Sequence, residues 1–145
     1  MAEWREGGCF CGAVRYRVEG APIDAAYCHC RICQRTTGAP AVPWASWPVE
    51  RFSWAGPEPR TLESSAAGRR RFCGKCGTQI LFWTEAEPKL LDVNLVTLNR
   101  PEAVAPQYQI WTESRIPWFD TIDSLPRYLD QGIDDREHRR AQQRG

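Results

Sequence analysis

The sequence predicts a mainly β fold of short antiparallel strands, a sandwich or a folded-over sheet, on three observations. Short runs with apolar alternation recur along most of the chain, and eleven prolines and eleven glycines punctuate them. No run before the C-terminus keeps a helical period over several turns. The seven cysteines fall in three clusters, Cys9-Phe10-Cys11, Cys28-His29-Cys30-Arg31-Ile32-Cys33 and Cys73-Gly74-Lys75-Cys76. Those spacings suit metal coordination, which can hold short strands together.

The first strand is expected over 12–18, where Val14, Tyr16 and Val18 alternate with Arg15 and Arg17 as on a half-buried surface. Short apolar runs then predict strands at 25–30, 41–47, 51–54, 60–64, 70–73, 79–83, 90–96 and 108–111. Ser124–Leu129 is expected to form a helical turn. Most of the tryptophans Trp44, Trp47, Trp54, Trp83, Trp111 and Trp118 are expected in the core, with one or two beside a site.

A chain of 145 residues suits one domain, expected over 1–133. Residues 134–145 are charged and lack a large apolar side chain, so this tail reads as frayed or disordered and dispensable for folding. The first residues show no apolar signal region and no stretch is long enough to span a bilayer, so a cytoplasmic protein with reduced thiols is expected. A net charge of +1 gives no global electrostatic case for nucleic acid or membrane. Seventeen of the nineteen basic residues are arginine. Their forks suit a small acidic ligand, and a GC-rich genome explains the same bias.

Seven cysteines cannot all pair within one chain, but they divide into four and three. Residues i and i+2 of a strand share a face, so Cys9 and Cys11 can present two sulfurs together while Phe10 turns away. The C-x-x-C knuckle of Cys73 and Cys76 supplies a second pair, which makes a closed four-thiolate zinc site. Cys28, Cys30 and Cys33 offer three ligands within six residues and no obvious fourth, the pattern of an open, catalytic zinc. Two zinc ions per chain follow. His29, between two ligands on a strand, is expected to point away from the metal, with a proton-transfer role as the lesser option. A zinc-ribbon-like pairing of Cys30 and Cys33 with Cys73 and Cys76 satisfies spacing as well.

The segments Gly8-Cys9-Phe10-Cys11-Gly12, Cys28-His29-Cys30-Arg31-Ile32-Cys33-Gln34-Arg35 and Phe72-Cys73-Gly74-Lys75-Cys76-Gly77-Thr78 resemble the glutathione-dependent formaldehyde-activating enzyme family. Residues 110–118 and 123–126 are similar to it too, and the likeness covers roughly 7–130. The resemblance implies a zinc-bearing β-tent of short antiparallel sheets. It implies that Cys9, Cys11, Cys73 and Cys76 are structural and that Cys28, Cys30 and Cys33 are catalytic. It also implies a carbon–sulfur lyase that joins a glutathione-like thiol to formaldehyde, or the reverse. Relatives close to the named enzyme often carry histidine where this chain has Gln109, which removes an imidazole from that position. The family also includes centromere protein V, so a non-catalytic zinc module for protein or nucleic acid is the alternative.

Three thiolates make zinc a weak Lewis acid and suit a soft fourth ligand, a substrate thiol, over hydrolytic chemistry. The extra negative charge calls for nearby cations: Arg31 and Arg35 are the local candidates for substrate binding, and Arg69–Arg71 precede the knuckle. With only His29 and His138 available, a Ser-His-Asp triad is disfavoured. Asp120 and Asp123 read as turn residues more readily than as paired catalytic carboxylates. No Gly-rich phosphate loop is present.

Overall fold

In the computed structural model, which describes residues 3–119, 124–131, 137 and 140–142, two sheets share a core. The strands are β1 Trp4–Gly8, β2 Arg15–Glu19, β3 Asp24–Cys28, β4 Val42–Pro48, β5 Phe52–Trp54, β6 Arg60–Glu63, β7 Gly68–Phe72, β8 Gln79–Thr84, β9 Leu90–Asn94 and β10 Tyr108–Ile110. One sheet runs β1-β2-β5; the other runs β10-β3-β4-β9-β8-β7-β6. The mainly β expectation is met. Among the described strands every ladder is antiparallel except β10 on β3, which is parallel and sets Ile110 beside Cys28.

The expected alternation in β2 packs Tyr16 and Val18 inward, with Val14 buried just before it. They meet Ala45, Trp47, Leu91 and Val93 of the larger sheet to form the main core. Tyr16 stacks on Phe52 and shares a 2.7 Å hydrogen bond with Thr97, so its polar tip is satisfied inside. A β-carbon on Gly7, opposite Tyr16, would meet backbone 2.5 Å away at the Thr97 carbonyl oxygen, and one on Gly8 would meet the Val14 carbonyl oxygen.

The other face of β3 and β4 carries a second, smaller core of Ala26, Cys28, Val42 and Trp44 with Tyr108 and Ile110. Being buried on both faces explains why β3 and β4 read as near-continuous apolar runs.

Two elements escape the sequence reading. β1 lacks apolar alternation, and its order comes from a full ladder with β2. A helix, α1 Arg31–Thr37, is too short to declare a period. Its signals are local: the Cys30 sulfur caps the Cys33 amide, and Gly38 closes it in the left-handed region at φ 76°.

Asp120, Asp123 and His138 lie outside the described residues, as does much of the 134–145 segment. Within that segment Arg140 is buried, against the expectation from its composition. It donates to Asp24 at 3.0 Å and to Ser46 at 2.9 Å, and it also pairs with Glu87. Ser124–Leu129 is not helical; Arg127 bridges to Gln109 instead.

Candidate metal centres

The seven cysteines are all free and gather in two groups, Cys9/Cys11/Cys73/Cys76 and Cys28/Cys30/Cys33, with the sulfurs of each group within 4.8 Å of one another. The four-plus-three grouping is therefore the one the fold brings together, and the ribbon-like mixture of Cys30 and Cys33 with Cys73 and Cys76 is not. Nearest sulfur pairs lie 3.5–3.7 Å apart. Tetrahedral zinc with bonds of ~2.3 Å needs ligand separations of about 3.8 Å, so both groups fit such an ion.

The route to the first group differs from the expected strand. β1 ends at Gly8, and Cys9–Gly12 is a turn closed by Gly12 N–H donating to the Cys9 carbonyl at 3.2 Å. The turn still turns both sulfurs one way and leaves Phe10 exposed. Backbone amides address the sulfurs: Val14 to Cys9 at 3.2 Å, and Lys75 and Cys76 to Cys73 at 3.4 and 3.5 Å. Thr78 ties the loops together, its hydroxyl 3.2 Å from the Cys76 sulfur and accepting from Phe10 N–H at 3.1 Å. Those Thr78 contacts hold the Cys76 thiol down to about 5.

The second group joins the end of β3 to the start of α1. Cys28 ends the strand, Cys30 is the N-cap, and Cys33 stands one turn in, its amide donating to the Cys30 sulfur at 3.2 Å. Within the trio hydrogen bonding to Cys28 and Cys33 draws the Cys30 pKa far down, while the contacts of Cys28 with Cys30 and Cys33 push the Cys28 pKa up. Among the described residues no fourth histidine, cysteine or carboxylate completes this trio. All three cysteines line a cavity of about 420 Å³ instead. A wider hollow of about 630 Å³ passes Gly8, Cys76 and Val96. The incomplete trio opens into the smaller cavity.

The cavity has an apolar wall of Trp44, Phe82, Ile110 and Trp111, and its far end carries Asp24, Glu87 and Asp92. Trp111 holds a positive φ of 58°, alone among the described non-glycine residues. Such a conformation costs about 1–3 kcal/mol and clusters at functional sites. Backbone hydrogen bonds with Asp130 and Ser114 keep it there.

Of the other residues singled out from sequence, Arg31 lines the cavity, whereas Arg35 is exposed and does not. His29 is fully buried and lines no part of the cavity. Its Nε2 lies 2.7 Å from Gln109 Oε1, and burial lowers its pKa. Gln109 is likewise fully buried outside the cavity lining, so an imidazole at that position would share the place of His29's partner, away from the trio.

One residue escaped notice. Gln34 donates to the carbonyls of His29, Pro40 and Ser114 and accepts from Arg31, pinning α1 to the cavity rim. Of the Arg69–Arg71 run named from sequence as nearby cations, Arg70 turns inward from β7 onto the Cys33 sulfur. Strand alternation separates it from Arg69 and Arg71, which pair outward with Glu63, Glu85 and Glu58.

Comparison with known proteins follows the same pattern. The model of a family described as glutathione-dependent formaldehyde-activating enzyme matches residues 4–114. A Halomonas elongata protein provisionally described by that same name is 29% identical over 94 residues, which make up 59% of this chain and 60% of the relative. The chain thus aligns with less than two thirds of that relative. A crystal structure of a Rhodobacter sphaeroides protein superposes with a TM-score of 0.58 over 85% of this chain and 99% of that one, at 22% identity. That likeness shows the fold.

Proposed function

The chain belongs to the glutathione-dependent formaldehyde-activating enzyme family, and on that premise we propose that it is a zinc-dependent carbon–sulfur lyase. It adds a glutathione-like thiol to formaldehyde or a similar small aldehyde, or reverses that addition. The observation that carries this reading is the incomplete trio of Cys28, Cys30 and Cys33 opening into a cavity. Cys9, Cys11, Cys73 and Cys76 would hold a second, structural zinc, for which four sulfurs suffice.

A zinc ion held by the trio would supply a fourth position that lowers the pKa of a substrate thiol and keeps it as thiolate near neutral pH. The rest is the work of the protein. Trp44, Phe82, Ile110 and Trp111 keep water from the reacting atoms and pack the body of the substrate. Arg31 at the rim is available to a substrate carboxylate. In the reaction a sulfur lone pair forms the C–S bond, the carbonyl π pair moves to oxygen, and the thiol proton ends on that oxygen. The product is a thiohemiacetal. His29, buried against Gln109 and outside the cavity lining, is given no proton-transfer role in this reading.

A cytoplasmic location fits this reading, since cytoplasmic thiols stay reduced; among the described residues no helix is long and apolar enough to cross a membrane. The alternative, a non-catalytic zinc module, draws on exposed Phe10 and Val96 beside the four-cysteine group. The two readings part in one experiment. Exchange NMR of glutathione with formaldehyde should show faster formation of the thiohemiacetal with the zinc-loaded protein than without it. A rate equal to the uncatalysed one contradicts the lyase reading.

A further inference from the structure

Arg70 is a charged side chain with almost no access to solvent, 4% exposed. Burying a guanidinium is costly unless an anion answers it. Among the described residues no carboxylate does so. Its Nη1 and Nη2 lie 3.6 and 3.5 Å from the Cys33 sulfur, and its Nε has no hydrogen-bond partner. The plane lies over the ring of Phe82 at 4.8 Å and near that of Trp44 at 5.9 Å. Those rings hold the fork in one orientation and shield it from water, which strengthens its field.

The arrangement makes electrostatic sense only beside a negatively charged centre. Three thiolates on a divalent ion leave a net charge of −1, and a fourth thiolate makes it −2. Arg31, also on the cavity, is exposed and engaged with Gln34 at 2.6 Å. Among the described arginines only Arg70 sits against the sulfurs.

We propose that Arg70 is a positioning residue of the three-cysteine site. It fixes the Cys33 sulfur toward the metal position and supplies the buried positive charge that favours an anionic sulfur, a substrate thiolate, as the fourth ligand over neutral water. The inference rests on the open-site reading for the thiolate, and on geometry alone for Cys33. It makes Arg70 a determinant of substrate class: it selects for the charge on the reacting atom, whatever the rest of the thiol.

The test compares wild type, Arg70→Lys and Arg70→Met, each folded by circular dichroism. The first readout is loss of zinc from the trio to a competing chelator, with the four-cysteine site as internal reference. The second is uptake of 2-mercaptoethanol by the cobalt-substituted protein, followed by sulfur-to-cobalt charge-transfer absorption. Removing a partner of a metal ligand typically weakens metal binding by about 10–100-fold. Arg70→Met should show a loss of that order in zinc retention and a matching loss in thiol uptake, with Arg70→Lys recovering much of both. Should the methionine variant not fold, Arg70→Gln takes its place, with the same expectation.

Arg70→Met retaining zinc and thiol as well as wild type would overturn the proposal and reduce Arg70 to packing between two rings. Arg70→Lys falling as far as Arg70→Met would overturn it too, since shape and not charge would then decide. Wild type that takes up no thiol, while Arg70→Met still sheds zinc faster, would sink the open-site reading but support the role at Cys33.

Discussion

Replacing Gln34 by methionine should loosen the rim of the three-cysteine site while leaving its cysteines in place. The side chain is 5% exposed, and its amide nitrogen reaches the carbonyls of His29 at 2.8 Å, Pro40 at 3.2 Å and Ser114 at 3.2 Å. Two amide hydrogens cannot serve three carbonyls fully, so the donor side counts as about two bonds. The Oε1 adds a charge-assisted bond from Arg31 at 2.6 Å. At about 0.5–1.5 kcal/mol for each neutral bond and somewhat more for the charged one, the loss comes to about 2–4 kcal/mol. Methionine has a similar volume, so little of that is cavity cost. For a chain of this size each kcal/mol moves the melting temperature by about 2–4 °C, giving a fall of roughly 4–16 °C. The assay is a thermal melt in zinc-saturated buffer. Gln34→Glu keeps the acceptor for Arg31 but loses the donors and should fall as well. A shift of Gln34→Met below about 2 °C would refute the reasoning, because no bonded network of that size costs so little.

Three further outcomes follow from the same geometry. Arg140→Met leaves the buried Asp24 carboxylate without its cation and should cost about 3–5 kcal/mol by chemical denaturation; the double variant with Asp24→Asn should cost less than the two singles together. Gly7→Ala drives a methyl to within 2.5 Å of the Thr97 carbonyl oxygen and should destabilise by about 1–3 kcal/mol in the same assay. Gln109→His should give no gain in thiohemiacetal formation, since position 109 faces His29 and not the cavity; a clear rise in rate would show that this position reaches the reacting atoms.

The strands were legible where one face is buried, as in β2, because burial imposes a period of two on the side chains. β1 was not: Arg5, Glu6, Gly7 and Gly8 earn a strand from their partner rather than from their own pattern. The cysteine grouping was legible because ligand spacing is a covalent constraint that packing cannot override, even though turns and a helix cap replace the strand geometry expected around Cys11 and Cys30. What sequence could not disclose is which side chains the sheet folds against the trio. Arg70 lies 37 residues from Cys33, and only the strand order across β3, β4, β9, β8 and β7 brings them together. The burial of Arg140 has the same origin, since it depends on Asp24, 116 residues away. Composition reports the solvation of a segment in isolation; it does not see a carboxylate waiting across the fold.

The most direct measurement is zinc per chain by elemental analysis in the purified wild type and in Cys30→Ser, with folding checked by circular dichroism. The open-site reading predicts two zinc ions in wild type and one in a still-folded Cys30→Ser, because only the trio loses a ligand while Cys9, Cys11, Cys73 and Cys76 keep theirs. One zinc in both proteins would contradict it, leaving a single structural metal and no centre for thiol chemistry.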